Sequence, residues 1–327
     1  HLLPPFVHYF CVRLHLCATL YTCHKCGQRA PCFLRMIGRR NRDCKMFFER
    51  LVRLFTLFLI GLLALVACGG SDSDKAAEHY VKGTVYTTAG QWQNAIKEFD
   101  ESIRLDPEAA DAHNNRGAVY AELDQFQKAI GDYDKAIRIE PDLSSAYYNR
   151  AIAYGDLGGF SKAIKDYSAA LLLDPSNADA YFNRGYSHYQ LGQYKLAASD
   201  FGDAIILVPN DVEAYLYRGL AYRNDGQYDL AVVDFDHLLA LNPKDVAAYV
   251  ERGITYDAMA LPDRAIEDFT QAISVDPTSG LAYANRALVL AFAGSVGEAR
   301  ADAEQAIELG VDRETLITTL ELNIRHE

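Results

Sequence analysis

What the chain lacks narrows it first. All seven of its cysteines fall within the first 68 of 327 residues. From Gly69 onward there is none, so no disulfide braces that part and no thiol chemistry runs there. Basic charge is also scarce beyond the N-terminal stretch. Residues 1–70 carry 10 Lys/Arg against 2 Asp/Glu, a net +8, whereas residues 71–327 carry 22 against 42, a net −20. Phosphate contacts need clustered Lys and Arg, so the acidic part is not expected to bind nucleic acid. Residues 76–313 hold no nucleophile–base constellation, no phosphate-cradling glycine loop and no cluster of metal ligands. No catalysis, cofactor, metal or small-molecule substrate is expected of them. No run is long enough for a comfortable membrane span either. The uncharged apolar run Leu54–Ala67 has 14 residues, where a spanning helix needs about 20.

The N-terminal stretch divides at Met46. The chain opens HLLPPFVHYF, without an initiator methionine. Cys23 and Cys26 form a CxxC, but the second pair that zinc modules use is missing. Residues 1–45 therefore read as an upstream extension that is either not translated or disordered. From Met46 the order is a positive segment with Arg50 and Arg53, then the apolar run, then Cys68. A run of this length suits a signal peptide. Leu65-Val66-Ala67-Cys68 resembles the lipobox of bacterial lipoproteins. That resemblance implies cleavage after residue 67 and an acylated Cys68, with residues 68–75 as a flexible polar tether. An uncleaved anchor and a cleaved soluble form are the alternatives.

The remainder is periodic. Proline recurs at Pro107, Pro141, Pro175, Pro209, Pro243 and Pro277, each 34 residues from the next. Alanine keeps the same step from Ala95 to Ala299, and arginine from Arg116 to Arg286. A period between 20 and 50 residues marks a solenoid whose units bury their apolar faces against neighbours. With Pro107 at position 32, seven units span residues 76–313. Positions 4, 8 and 11 share one helical face, and positions 20, 24, 27 and 28 share another. Gly90, Gly158, Gly192 and Gly226 at position 15 punctuate the turn between the two helices.

These units resemble the tetratricopeptide repeat. The small residue at position 8 stands as Gly83, Gly117, Ala151, Gly185, Gly219, Gly253 and Ala287. The aromatic at position 24 runs from Phe99 to Phe269 and is lost only at Ala303. The resemblance implies an all-α, right-handed superhelical solenoid of seven helix-turn-helix repeats. Residues 314–327, with Leu316, Ile317, Leu320 and Ile324 at helical spacing, are expected to form a capping helix.

One pattern exceeds the family consensus. Position 7 is Lys82 and then arginine in all six later repeats; position 23 is Glu98 and then aspartate. An ion pair is expected at each, within a repeat or to an adjacent one, serving registry more than net stability.

In the family, first helices line a concave groove through positions 2, 5, 6, 9, 12 and 13. Position 6 supplies Asn115, Asn149, Asn183 and Asn285. Amides both donate and accept, so a column of them can grip a peptide backbone whatever its sequence. Alternatively these amides are solvated or bond their own backbone. Tyr148, Phe182, Tyr186 and Tyr189 lie beside them as hot-spot candidates, or else pack against neighbouring helices. Arg223 could meet a carboxylate. The groove lacks the paired bases of a carboxylate clamp, and Asp111, Asp179 and Glu213 suit helix N-termini. The functional expectation is a non-catalytic protein-interaction scaffold, lipid-anchored at the extracytoplasmic side of a bacterial membrane, that binds an extended peptide or a partner protein. A substrate-recruiting adaptor for a separate transferase or peptidase, and a soluble cytoplasmic adaptor, are the alternatives.

Overall fold

The computed structural model describes residues 71–324. The expected extension 1–45, signal peptide 46–67, Cys68 and the end of the cap beyond Ile324 lie outside the described residues. Within them the chain is entirely helix and turn, in successive antiparallel hairpins. The first helices of the hairpins are α1 (Asp72–Thr88), α3 (Ala110–Glu122), α5 (Ser144–Asp156), α7 (Ala178–Gln190), α9 (Val212–Asn224), α11 (Val246–Ala258) and α13 (Gly280–Phe292). Their partners are α2 (Trp92–Leu105), α4 (Phe126–Ile139), α6 (Phe160–Leu173), α8 (Tyr194–Leu207), α10 (Tyr228–Leu241), α12 (Pro262–Val275) and α14 (Val296–Glu308). A last helix, α15 (Arg313–Ile324), follows.

Sequence sets each hairpin. The chain is steered out of helical geometry just before each position-32 proline, so α2 ends at Leu105 with extended Asp106 ahead of Pro107. The turn inside each hairpin needs a left-handed residue at position 15. Glycine supplies it at φ +67 to +81 in five repeats, but Asp124 and Ala260 adopt φ +57 and +58 in the second and sixth. At position 8 a side chain would collide with the ring at position 24. A Cβ on Gly219 would stand 2.8 Å from the Phe235 ring, and one on Gly253 2.7 Å from Phe269. Those rings are fully buried, together with Phe99, Tyr133 and Phe201. Each is worth roughly 1.5–3 kcal/mol of transfer free energy.

The hairpins stack so that first helices touch successive first helices, whereas second helices never approach one another. The first helices therefore form the closely spaced inner layer and the second helices the splayed outer layer. The concave surface belongs to α1, α3, α5, α7, α9, α11 and α13. At the C-terminal end, Leu316 and Leu320 of α15 bury against Ala291, Ala299 and Ala303 of the last hairpin.

The N-terminal tether corrects one expectation. Residues 72–75 are helical, not flexible. Ser71 caps α1: its hydroxyl accepts from the Asp74 amide at 3.2 Å, and its own amide donates to the Asp74 carboxylate at 2.9 Å. That reciprocal box satisfies two amides at the helix start and carries the helix through the serine–aspartate run.

Candidate interaction surface

Two ladders of polar contacts cross the array. The first is ionic. In repeats two to seven the position-7 arginine grips the position-23 aspartate of its own hairpin with two parallel bonds. Arg150 donates to Asp166 at 2.7 and 2.8 Å, and Arg218 to Asp234 at 2.9 and 2.6 Å. The aspartates are buried; Asp234 is only 1% exposed. Bidentate bonding holds the Arg116 and Arg218 guanidinium groups above the ordinary arginine value despite burial. The third guanidinium nitrogen reaches back to position 25 of the preceding hairpin. It finds Asp100, Asp134, Ser168, Asp236 and Thr270 from Arg116, Arg150, Arg184, Arg252 and Arg286 respectively. Each of these five arginines thus spans two hairpins. Arg218 does not, because position 25 before it is Gly202. The first repeat corrects the sequence expectation. Lys82 pairs with Glu78 one turn away at 2.6 Å, and Glu98 takes His79 at 2.7 Å. An ammonium lacks the fork that lets arginine hold two partners.

The second ladder lies on the inner layer. Asn115 donates its amide to the Tyr80 hydroxyl at 2.9 Å, Asn149 to the Asn114 side-chain oxygen at 3.1 Å, and Asn183 to the Tyr148 hydroxyl at 3.2 Å. Each bond joins position 6 of one repeat to position 5 of the repeat before. Each contributes about 0.5–1.5 kcal/mol net. The amide carbonyls of Asn115, Asn149 and Asn183 are left without a protein partner among the described residues. Asn285 departs from the column. Its neighbour at position 5 is Val250, which cannot accept, and Asn285 donates to its own helix at Leu281 O, 2.8 Å away.

Between repeats four and five the ladder changes from amide to aromatic. Tyr217 replaces asparagine at position 6. Its ring meets Phe182 at 5.7 Å, Tyr186 at 5.4 Å and Tyr189 at 6.1 Å, each edge-on, and stacks on buried Phe201 at 5.8 Å. Edge-to-face pairs of this kind add about 0.5–1.5 kcal/mol beyond burial. Burial, with Tyr186 and Glu213 nearby, raises the Tyr217 hydroxyl above its ordinary value. Asn224 adds a bond from its amide to the Tyr189 hydroxyl at 2.8 Å. Tyr148 packs on Tyr167 at 5.9 Å as Phe182 packs on Phe201 at 5.3 Å. The four predicted aromatics are therefore half-buried against their neighbours, with Tyr217 as the hub of the three on α7.

Arg223 corrects another expectation. It is not free to meet a ligand carboxylate, because Glu251 of the next hairpin pairs with it and also accepts through its backbone carbonyl. Asp111, Asp179 and Glu213 occupy first turns, as expected. Among the described residues no group of acids, histidines and cysteines could hold a metal ion. No helix there is long and apolar enough to cross a membrane. A cavity of about 240 Å³ lies under the cap, lined by Ala291, Ala303, Ile307 and Leu320, away from both ladders.

Known proteins give the same architecture. Family models described as tetratricopeptide repeat match residues 110–143, 148–212, 187–246 and 250–311, and a model described as TPR repeat matches 83–124. No curated protein matches the chain. Among solved structures, YrrB, a TPR protein with an unusual peptide-binding site, is 27% identical. That alignment covers 56% of this chain and 95% of YrrB, with a TM-score of 0.53. A tetratricopeptide repeat protein from Parabacteroides merdae is 23% identical over 76% of this chain and 99% of its own, with a TM-score of 0.53. The C-terminal part of a TPR repeat-containing protein from Cytophaga hutchinsonii is 21% identical over 74% and 99%, with a TM-score of 0.62. The last two share the fold alone. Repeat register, stacked hairpins and family matches over most of residues 83–311 converge: the chain belongs to the tetratricopeptide repeat family.

Proposed function

We infer that the protein is a non-catalytic scaffold, anchored by a lipid on Cys68 at the extracytoplasmic side of a bacterial membrane, that holds an extended segment of a partner protein in its concave groove. One observation carries the groove reading. Three amides stand in line with their donors committed to the array and their carbonyl oxygens unpaired, and the line ends at the half-buried ring cluster around Tyr217. Unpaired acceptors suit backbone amides of an extended peptide. Rings that are held rigid suit an apolar or aromatic anchor residue. YrrB, described as having a peptide-binding site, supports peptide as the ligand class. The lipid anchor rests on the sequence Leu65-Val66-Ala67-Cys68.

The two halves are tested separately. Membrane fractionation of wild type and Cys68→Ser is expected to leave the former with membranes and release the latter. Both chains in the soluble fraction would sink the anchor. For the groove, crosslinked partners of wild type are compared with those of Asn183→Ala/Tyr217→Ala. Loss of partners with unchanged circular dichroism is expected, and undiminished recovery of every partner would refute the groove reading.

A further inference from the structure

The outer layer carries a pattern that the groove does not use. Positions 18, 19, 22, 25, 26 and 29 of each second helix point away from the inner layer, since their spacing places them opposite the buried positions 20, 24, 27 and 28. In repeats one to three these positions hold seven bases and three acids, with Lys128, Lys135, Arg138, Lys162 and Lys165 exposed. The three acids are occupied: Arg116 holds Asp100, Arg150 holds Asp134 and Arg104 holds Glu101. In repeats five to seven the same positions hold seven acids and one base, with Asp229, Asp263, Glu267 and Glu298 exposed. Between the halves the face turns apolar. Leu172 on α6 is 83% exposed, Ile206 on α8 76%, Val233 on α10 61% and Leu196 on α8 53%. Second helices elsewhere put charged, polar or small residues at these places. Exposed aliphatics gathered on one face of a folded protein mark an interaction site.

We propose that this outer face joins two copies of the chain in an isologous dimer about a two-fold axis along α8. A two-fold along α8 sets α6 against α10 of the other copy and α4 against α12. The basic half of each copy then faces the acidic half of the other, and Ile206 and Leu196 meet their own counterparts. Self-complementarity of this kind is what a two-fold requires of a single patch. A curved array touches a flat or convex partner first at its middle, and the aliphatics stand at the middle repeat. A membrane fits less well, because it would meet the acidic half along with the basic one. The grooves stay open on the far sides.

The test uses the full chain in mild detergent. Sedimentation is expected to show a dimer. Leu172→Asp/Ile206→Asp changes two exposed side chains, so its circular dichroism should match wild type while dimer affinity falls at least tenfold. Lys162→Glu/Lys165→Glu should weaken the dimer, and adding Asp229→Lys should restore part of it, as charge-swapped halves allow. Ile206→Cys should crosslink to itself on oxidation above the background of the unsubstituted chain, whereas Leu281→Cys on the opposite layer should not. A wild-type monomer, or a dimer indifferent to Leu172→Asp/Ile206→Asp, would overturn the proposal. So would a monomer that sediments with phosphatidylglycerol vesicles and loses them in Lys162→Glu/Lys165→Glu, which would reassign the face to lipid.

Discussion

The ionic ladder makes a differential prediction that a uniform repeat would not. Arg218 has a single carboxylate partner, since Gly202 leaves nothing at position 25 behind it, and Asp234 is 1% exposed. Asp234→Asn therefore strands a half-buried guanidinium with only the Tyr215 and Tyr222 rings, at 5.2 and 5.9 Å, to offset its charge. Breaking a buried pair in this way costs about 3–5 kcal/mol. Arg150 has a second acid. After Asp166→Asn it keeps Asp134, whose side chain is 43% exposed, so the loss should be visibly smaller. Asp134→Asn removes only the exposed contact and should cost about 0–1 kcal/mol. The assay is urea unfolding of each variant beside wild type, with hydrogen exchange across α9 and α10, because repeat arrays need not unfold in one step. The reasoning requires the order Asp234→Asn worst, then Asp166→Asn, then Asp134→Asn. Equal midpoints for Asp234→Asn and Asp134→Asn would show the inner pair to be as solvated as the outer one, and the account would fail.

Other outcomes follow from particular positions. Ala260→Gly should stabilise the sixth repeat by roughly 1–2 kcal/mol, read as a higher urea midpoint, because alanine there holds a left-handed φ of +58. Gly219→Ala should destabilise by about 1–3 kcal/mol, since its new methyl meets the Phe235 ring, and a crystal structure should show that ring displaced. Asp132 gives a pH dependence. Burial alone would raise its carboxyl, but the two bonds from Arg116, with the His113 ring 3.5 Å away, hold it below the ordinary value. The depressed group stabilises the fold above its unfolded pKa of about 3.9. That stability, which comes from the Arg116 fork, is lost as pH falls through the lower folded value, so an acid titration of wild type should fall more steeply below pH about 4 than that of Asp132→Asn.

Much of this architecture was legible in the letters, and the reason is chemical. A ring at position 24 forces a small residue at position 8, and a bidentate grip forces arginine opposite aspartate, so these positions repeat as letters. Position 25 was not legible. Asp100, Ser168 and Thr270 all accept from arginine, so different letters do one job and no ladder shows. The amide column was half legible. Asparagine at position 6 reads plainly, but its partner at position 5 is a tyrosine, an asparagine or a valine, and that neighbour decides whether Asn285 bridges or turns back. Arg223 looked available because its partner, Glu251, lies 28 residues away in the next unit. The tether looked flexible because serine and aspartate favour turns, yet the same two residues form a helix cap when an apolar face follows.

The unequal spacing of the two layers has a mechanical consequence. Successive first helices are in contact, tied by amides through the first four repeats and by the Tyr217 rings between the fourth and fifth, so the inner layer resists stretching and sliding. Successive second helices lie farther apart than successive first helices and are linked by the arginine forks that cross between hairpins. The molecule can flex by fanning its outer helices while the inner layer acts as the hinge line, in the way a book bends at its spine. Flexing of that kind widens or narrows the hollow side without breaking any buried contact within a hairpin.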